Sequence, residues 1–165
     1  MASEPVNAFQ VRPRGSWFGD PVDRVLLAYD DRYRRRLLVT CESGTQVLLN
    51  FAEARVLRDG DALVVGDGDL IEVKAASERL IEIVCADVRE LVRVAWHLGN
   101  RHLATQLLGD RLRIREDHVI ADMVCKLGAK ATPIEAPFDP EGGAYGHGAV
   151  QSHSHGPSHD HSHDH

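Results

Sequence analysis

The chain has 165 residues, ten histidines and a formal charge of −6, enough length to bury one good core or two small ones. The acidic balance argues against general affinity for nucleic acid or anionic membranes. No stretch approaches transmembrane length and the first residues lack an apolar signal-peptide core, which predicts a cytosolic protein with no membrane partner.

From Val25 to Val84 short β-rich runs follow one another: VLLAY, LLVT, QVLLNF, ALVV, LIEV and LIEIV. The separators Glu-Ser-Gly, Arg-Asp-Gly-Asp and Gly-Asp-Gly-Asp are turn signals, so this half predicts a small all-β unit. Arg32 and Arg34 to Arg36 form a basic cluster within it, expected as a solvated turn and strand edge.

At Asp87 the period changes. Asp87 can cap a helix with Glu90 three positions on, and Val88, Leu91, Val92, Ala95 and Leu98 follow a helical stripe that Gly99 and Asn100 would end. Leu103 to Leu108 and Arg111 to Arg115 are strand candidates joined at Gly109-Asp110. A second helix starts near Asp117, buries Val119, Ile120, Met123, Val124 and Leu127, and stops at Gly128. Lys130 to Phe138 is a final extended stretch carrying Pro133 and Pro137.

With Leu80 to Ala86 placed first, the order is β-α-β-β-α-β, the ferredoxin-like motif. The expected class is therefore α+β: a β-rich domain over 1–74, a ferredoxin-like domain over 75–145, and a disordered His-rich tail over 146–165. Cys41, Cys85 and Cys125 are odd in number, far apart and set in apolar runs, which predicts buried reduced thiols rather than a disulfide framework.

The tail reads HGAVQSHSHGPSHDHSHDH from His147 to His165. It is too polar to build a core, yet it offers imidazoles at His147, His153, His155, His159, His161, His163 and His165. Imidazole suits Ni²⁺, Zn²⁺ and Cu²⁺ and ligates in its neutral form, so these seven are candidate metal ligands. Tail composition alone does not name the metal. In the folded part, His118, Asp122 and Cys125 fall at i, i+4 and i+7 of the second helix, where they could share a face. His97 lies opposite the Val88 stripe, which favours a packing or hydrogen-bonding role.

The segments HLGNRH, DHVIADMVCKLG and PFDPEGGAYGHG, followed by the His-rich C-terminus, resemble the UreE family of urease accessory proteins, nickel metallochaperones. The resemblance runs from about Arg79 to the end. It implies an N-terminal domain akin to chaperone peptide-binding domains, a ferredoxin-like metal-binding domain and a homodimer. It further implies that the histidine of the GNRH motif, His102 here, binds Ni²⁺ with its symmetry mate at the dimer interface, with tail histidines completing the shell. His118 stands where relatives carry a secondary metal position. The implied partners are the urease accessory GTPase, UreG, and the urease apoprotein complex, with Ni(II) as bound cargo for which Zn(II) or Cu(II) would compete.

A hydrolytic metal site needs several converging ligands and a positioned acid or base. Outside the tail the sequence offers no such set, and no nucleophile elbow, Walker loop or dinucleotide fingerprint. A carrier is expected instead of an enzyme. Two other readings compete with it: a metal store acting through the tail alone, and an RNA-binding ferredoxin-like module. The second is disfavoured because Leu80 to Ala86 and Arg111 to Arg115 lack aromatics for base stacking.

Overall fold

The computed structural model describes residues 4–142. Six strands form the first sheet: β1 (Val6–Arg12), β2 (Asp23–Leu27), β3 (Tyr33–Thr40), β4 (Gln46–Val56), β5 (Ala62–Val65) and β6 (Asp69–Ala75), in the order β2-β6-β5-β1-β4-β3. All of these except β1 fall on the β-rich runs. β1, VNAFQVR, lacks clean alternation and was not legible as a strand. It pairs parallel with β4 and antiparallel with β5, and its Ala8 is fully buried.

Strands from both ends of the sheet contribute to one core. Val25 and Leu27 of β2 meet Val39 of β3, Val47, Leu49 and Phe51 of β4, Leu63 of β5, and Ile71 and Val73 of β6. The sheet therefore curls around its own apolar face, and the Glu42 N–H donates to the Arg24 carbonyl at 2.8 Å to draw its outer strands together. Burying that face is the main drive for folding this half.

The second sheet comprises β7 (Ser77–Val84), β8 (Gln106–Leu107), β9 (Arg111–Arg115) and β10 (Lys130–Pro137), in the order β10-β7-β9-β8 with every pair antiparallel. Helix α1 (Val88–Asn100) connects β7 to β8, and α2 (His118–Lys126) connects β9 to β10. Ile81 and Ile83 of β7 and Leu112 and Ile114 of β9 pack with Val94, Leu98, Ile120 and Val124 of the helices. Alternation along the strands thus sends one face of the sheet to both helices. β8 is much shorter than the expected Leu103 to Leu108, because Leu103 to Thr105 serve to turn the chain out of α1.

The two sheets meet across a one-turn 3-10 helix, Tyr29–Arg32. The Tyr29 N–H donates to Glu78 at 2.9 Å, Arg115 pairs with Asp30 at 2.9 Å, and the Tyr29 ring meets Phe138 edge-on with centroids 5.5 Å apart. Arg32 belongs to this joint and is only 1% exposed. The expectation of a solvated basic turn therefore fails for Arg32, since a carboxylate 107 residues further along the chain pairs with it.

Candidate metal centre

Helix α1 starts where its capping residues dictate. The Asp87 carboxylate accepts from the Glu90 N–H at 2.8 Å, and Glu90 accepts from the Ala86 N–H at 2.6 Å, so two otherwise orphaned donors are satisfied. The buried line of the helix is Leu91, Val94, Ala95 and Leu98. Val88 and Val92 were expected in that line, yet they are 73% and 63% exposed, and Trp96 continues their row at 64%. The apolar arc of α1 is wider than the sheet can cover, and reading it as a single stripe assigned its outer edge to the core. His97 is half-buried and meets the Trp96 ring edge-on with centroids 5.0 Å apart, which agrees with a packing role.

The helix ends at Asn100, as Gly99 and Asn100 predict, and the chain turns at His102. His102 has φ 55°, the left-handed conformation usually taken by glycine, and is the non-glycine residue with positive φ among the described residues. Its N–H donates to the Gly99 carbonyl at 2.9 Å, and the Leu103 N–H donates to the Leu98 carbonyl at 3.3 Å. The side chain is exposed to solvent, just past the end of the Val88, Val92 and Trp96 row.

His118 is the first residue of α2, beside the cap Asp117, whose carboxylate accepts from Val119 at 2.9 Å and Ile120 at 3.1 Å. His118, Asp122 and Cys125 are all exposed on this helix. Among the described residues no three His, Cys, Asp or Glu side chains gather closely enough to hold a metal ion. His102 and His118 each present one donor from this chain. The candidate ligands His147, His153, His155, His159, His161, His163 and His165 lie outside the described residues.

Only one of the three thiols meets the expectation of burial in full. Cys41 is buried, Cys85 half-buried and Cys125 exposed. Cys125 sits on the outer side of α2, where an apolar neighbourhood in sequence is not one in space.

The largest group of charges that the sequence did not point to surrounds Asp139. Its Oδ1 accepts from Arg32 Nη1 at 2.9 Å and Arg58 Nε at 3.0 Å, and its Oδ2 from Arg58 Nη2 at 3.1 Å and Arg14 Nη1 at 3.3 Å. Arg32 also donates to the Phe138 carbonyl. Burial would raise the Asp139 pKa, but hydrogen bonds and charge from Arg58 and Arg32 outweigh it and hold the carboxyl below its ordinary value. The signal available beforehand was the Phe-Asp-Pro of PFDPEGG, a polar residue enclosed by residues suited to burial.

The chain matches two family models in succession: residues 14–76 match the model described as UreE urease accessory protein, N-terminal domain, and residues 78–165 match that of the C-terminal domain. Among curated relatives, a urease accessory protein UreE of Rhodopseudomonas palustris strain BisB18 is 55% identical over 150 residues, covering 91% of this chain and 71% of the relative. Another, from Bradyrhizobium sp. strain ORS 278, is 55% identical over 92% of this chain and 70% of its own length. The protein of the same description from Beijerinckia indica is 49% identical over 91% of this chain and 87% of the relative.

Proposed function

Because the chain belongs to the UreE family of urease accessory proteins, we propose that it is a nickel metallochaperone, which binds Ni²⁺ as cargo and delivers it for assembly of the urease active site. The observation that carries this reading is His102: an exposed imidazole on a backbone conformation that costs a non-glycine residue on the order of 1 kcal/mol. Such a cost is expected where the side chain is needed for something other than folding.

One imidazole does not make a nickel site. A homodimer supplies the second, because a two-fold interface is isologous and pairs any residue near its axis with its mate. The exposed row Val88, Val92 and Trp96 leads towards His102 and is a suitable apolar surface for that contact. Ni²⁺ accepts more ligands than two, and the tail histidines, from His147 onward, complete the shell from either protomer. His118 is a secondary position. Exchangeable ligands let an acceptor take the ion one bond at a time, which a rigid enzyme site would resist.

The finer fold assignment belongs to the same reading. The order β10-β7-β9-β8 with α1 and α2 on one face supports a ferredoxin-like metal-binding domain over 75–145, after a β domain over 1–74 that contacts partner proteins. The partners are the accessory GTPase UreG and the urease apoprotein complex, in the cytosol. Zn²⁺ and Cu²⁺ compete for the same imidazoles, since nitrogen ligands alone do not select nickel.

Calorimetric titration of Ni²⁺ into the full chain, a truncation after Tyr145 and full-length His102→Gly, with mass measured in parallel, tests the reading. One tight site per dimer that survives truncation and disappears in His102→Gly is the expected result. Loss of all binding on truncation, with His102→Gly unchanged, would make the protein a tail-borne metal store instead.

A further inference from the structure

We propose that the first domain holds the proposed nickel ligand His102 in place, and that Asp139 is the positioning residue through which it does so. The carboxylate of Asp139 is gripped by the first domain, while the backbone at and just after it fastens the segment that follows His102. The proposal rests on the reading above, in which His102 ligates nickel.

His102 stands between two fixed points. On its N-terminal side, the His102 and Leu103 amides are bound to the end of α1 through the Gly99 and Leu98 carbonyls. On its C-terminal side the second sheet takes hold only at Gln106, the first residue of the two-residue strand β8. The chain beyond β10 supplies the rest of the hold. The Glu141 N–H donates to the Thr105 carbonyl at 2.9 Å, and the Asp139 N–H donates to Gln106 Oε1 at 3.4 Å. Thr105 follows His102 by three residues, a span of at most about 11 Å.

This strap can fasten the loop because it is itself anchored. Phe138 is fully buried against Tyr29, and the Asp139 carboxylate is held by Arg32, Arg58 and Arg14. Two of the three segments that carry those arginines are fixed in turn by Asp61, which is only 6% exposed. Its carboxylate accepts from the Arg14 N–H at 2.9 Å and from the Arg58 N–H at 2.8 Å. Polar contacts therefore run without a break from Asp61, inside the first domain, through Arg58 and Asp139 to the segment that follows His102. A loop clamped before the ion arrives loses less conformational freedom on binding it. Since the proposed site takes one His102 from each protomer, that saving enters twice per ion.

Two measurements on the full-length native chain, Asp139→Asn and His102→Gly separate positioning from stability alone. Amide hydrogen exchange of the metal-free protein is followed by NMR at His102 and Leu103, with Gly128 and Ala129, which close α2 through bonds of the same spacing, as an internal reference. The nickel dissociation constant of the tight site is measured by competition with a chromophoric chelator. Asp139→Asn is expected to speed exchange at His102 and Leu103 while Gly128 and Ala129 keep their rates. It is also expected to weaken the tight site by between about twofold and thirtyfold, the range spanned by couplings of this kind. Exchange that quickens equally at both helix ends would mark a loss of stability alone and overturn the proposal, as would unchanged exchange at His102 or an unchanged nickel constant. If His102→Gly leaves the tight constant as it was, the reading of His102 as a ligand fails, and this proposal with it. Should Asp139→Asn not fold by circular dichroism, Glu141→Pro removes the donor to Thr105 at an exposed position and must show the same pattern.

Discussion

His102 closes α1 with the same pair of hydrogen bonds by which Gly128 closes α2. At α2 the Gly128 N–H donates to Cys125 at 3.0 Å and the Ala129 N–H to Val124 at 3.1 Å, matching the His102 to Gly99 and Leu103 to Leu98 bonds in spacing. Both residues are left-handed, at φ 55° and φ 106°. One helix thus ends on the residue that this motif favours and the other on a histidine.

That contrast predicts a separation of stability from binding. His102→Gly relieves the left-handed residue, whereas His102→Ala keeps the strain without the imidazole, so the glycine variant should be the more stable of the two by about 1 kcal/mol in urea unfolding. Both should lose the proposed tight nickel site. Equal stabilities would show that the turn stores no strain.

At Asp139 the prediction concerns acid. Its pKa is held below the ordinary value by Arg58 and Arg32 against the opposing effect of burial. The carboxylate therefore stabilises the fold in full above about pH 4, and that stability disappears as pH falls through its lowered pKa. Asp139→Asn leaves Arg32 buried without its charge partner, at a cost of about 3 kcal/mol near neutral pH. The gap between native and variant unfolding should narrow from pH 7 to pH 3. A gap of constant size would mean that the pair contributes nothing through its charge.

Period and turn chemistry made most of the secondary structure legible: Asp87 and Asp117 cap their helices as read, Gly128 ends α2, and Gly109-Asp110 joins β8 to β9. What escaped was set by partners distant in sequence. β1 becomes a strand because β4 and β5 flank it, and Arg32 is buried because Asp139, 107 residues away, reaches it. The outer edge of α1 looked like core because periodicity gives the width of an apolar arc, not how much of it a sheet will cover. His102 stood out through its motif, while its left-handed backbone was hidden by the two better helix stops, Gly99 and Asn100, just before it.

Thiol reactivity should follow burial. Burial, with a smaller push from the Asp23 charge, moves the Cys41 pKa up to about 11, so little thiolate forms near neutral pH. Cys85 is also raised, by burial and then by Glu90 and Asp87. Iodoacetamide at pH 8, followed by peptide mass mapping, should label exposed Cys125 first, Cys85 more slowly, and Cys41 only on unfolding. Early labelling of Cys41 would contradict its place in the first core.

Trp96 provides the most direct test of the proposed dimer surface. Val88, Val92 and Trp96 sit four residues apart along α1, outside the core that Val94 and Leu98 build, so changing Trp96 should leave folding intact. A glutamate there would put two like charges close together across an isologous contact and leave both desolvated. Trp96→Glu is therefore expected to keep its circular dichroism spectrum and sediment as a monomer at micromolar concentration. Trp96→Ala should weaken association by roughly 2 kcal/mol, about thirtyfold in the dimer dissociation constant. Because the proposed nickel site needs one His102 from each protomer, the monomeric Trp96→Glu chain should also lose tight binding although His102 is unchanged. A Trp96→Glu chain that remains dimeric would move the interface off this face of α1, and one that is monomeric yet binds nickel tightly would show that a single protomer completes the site.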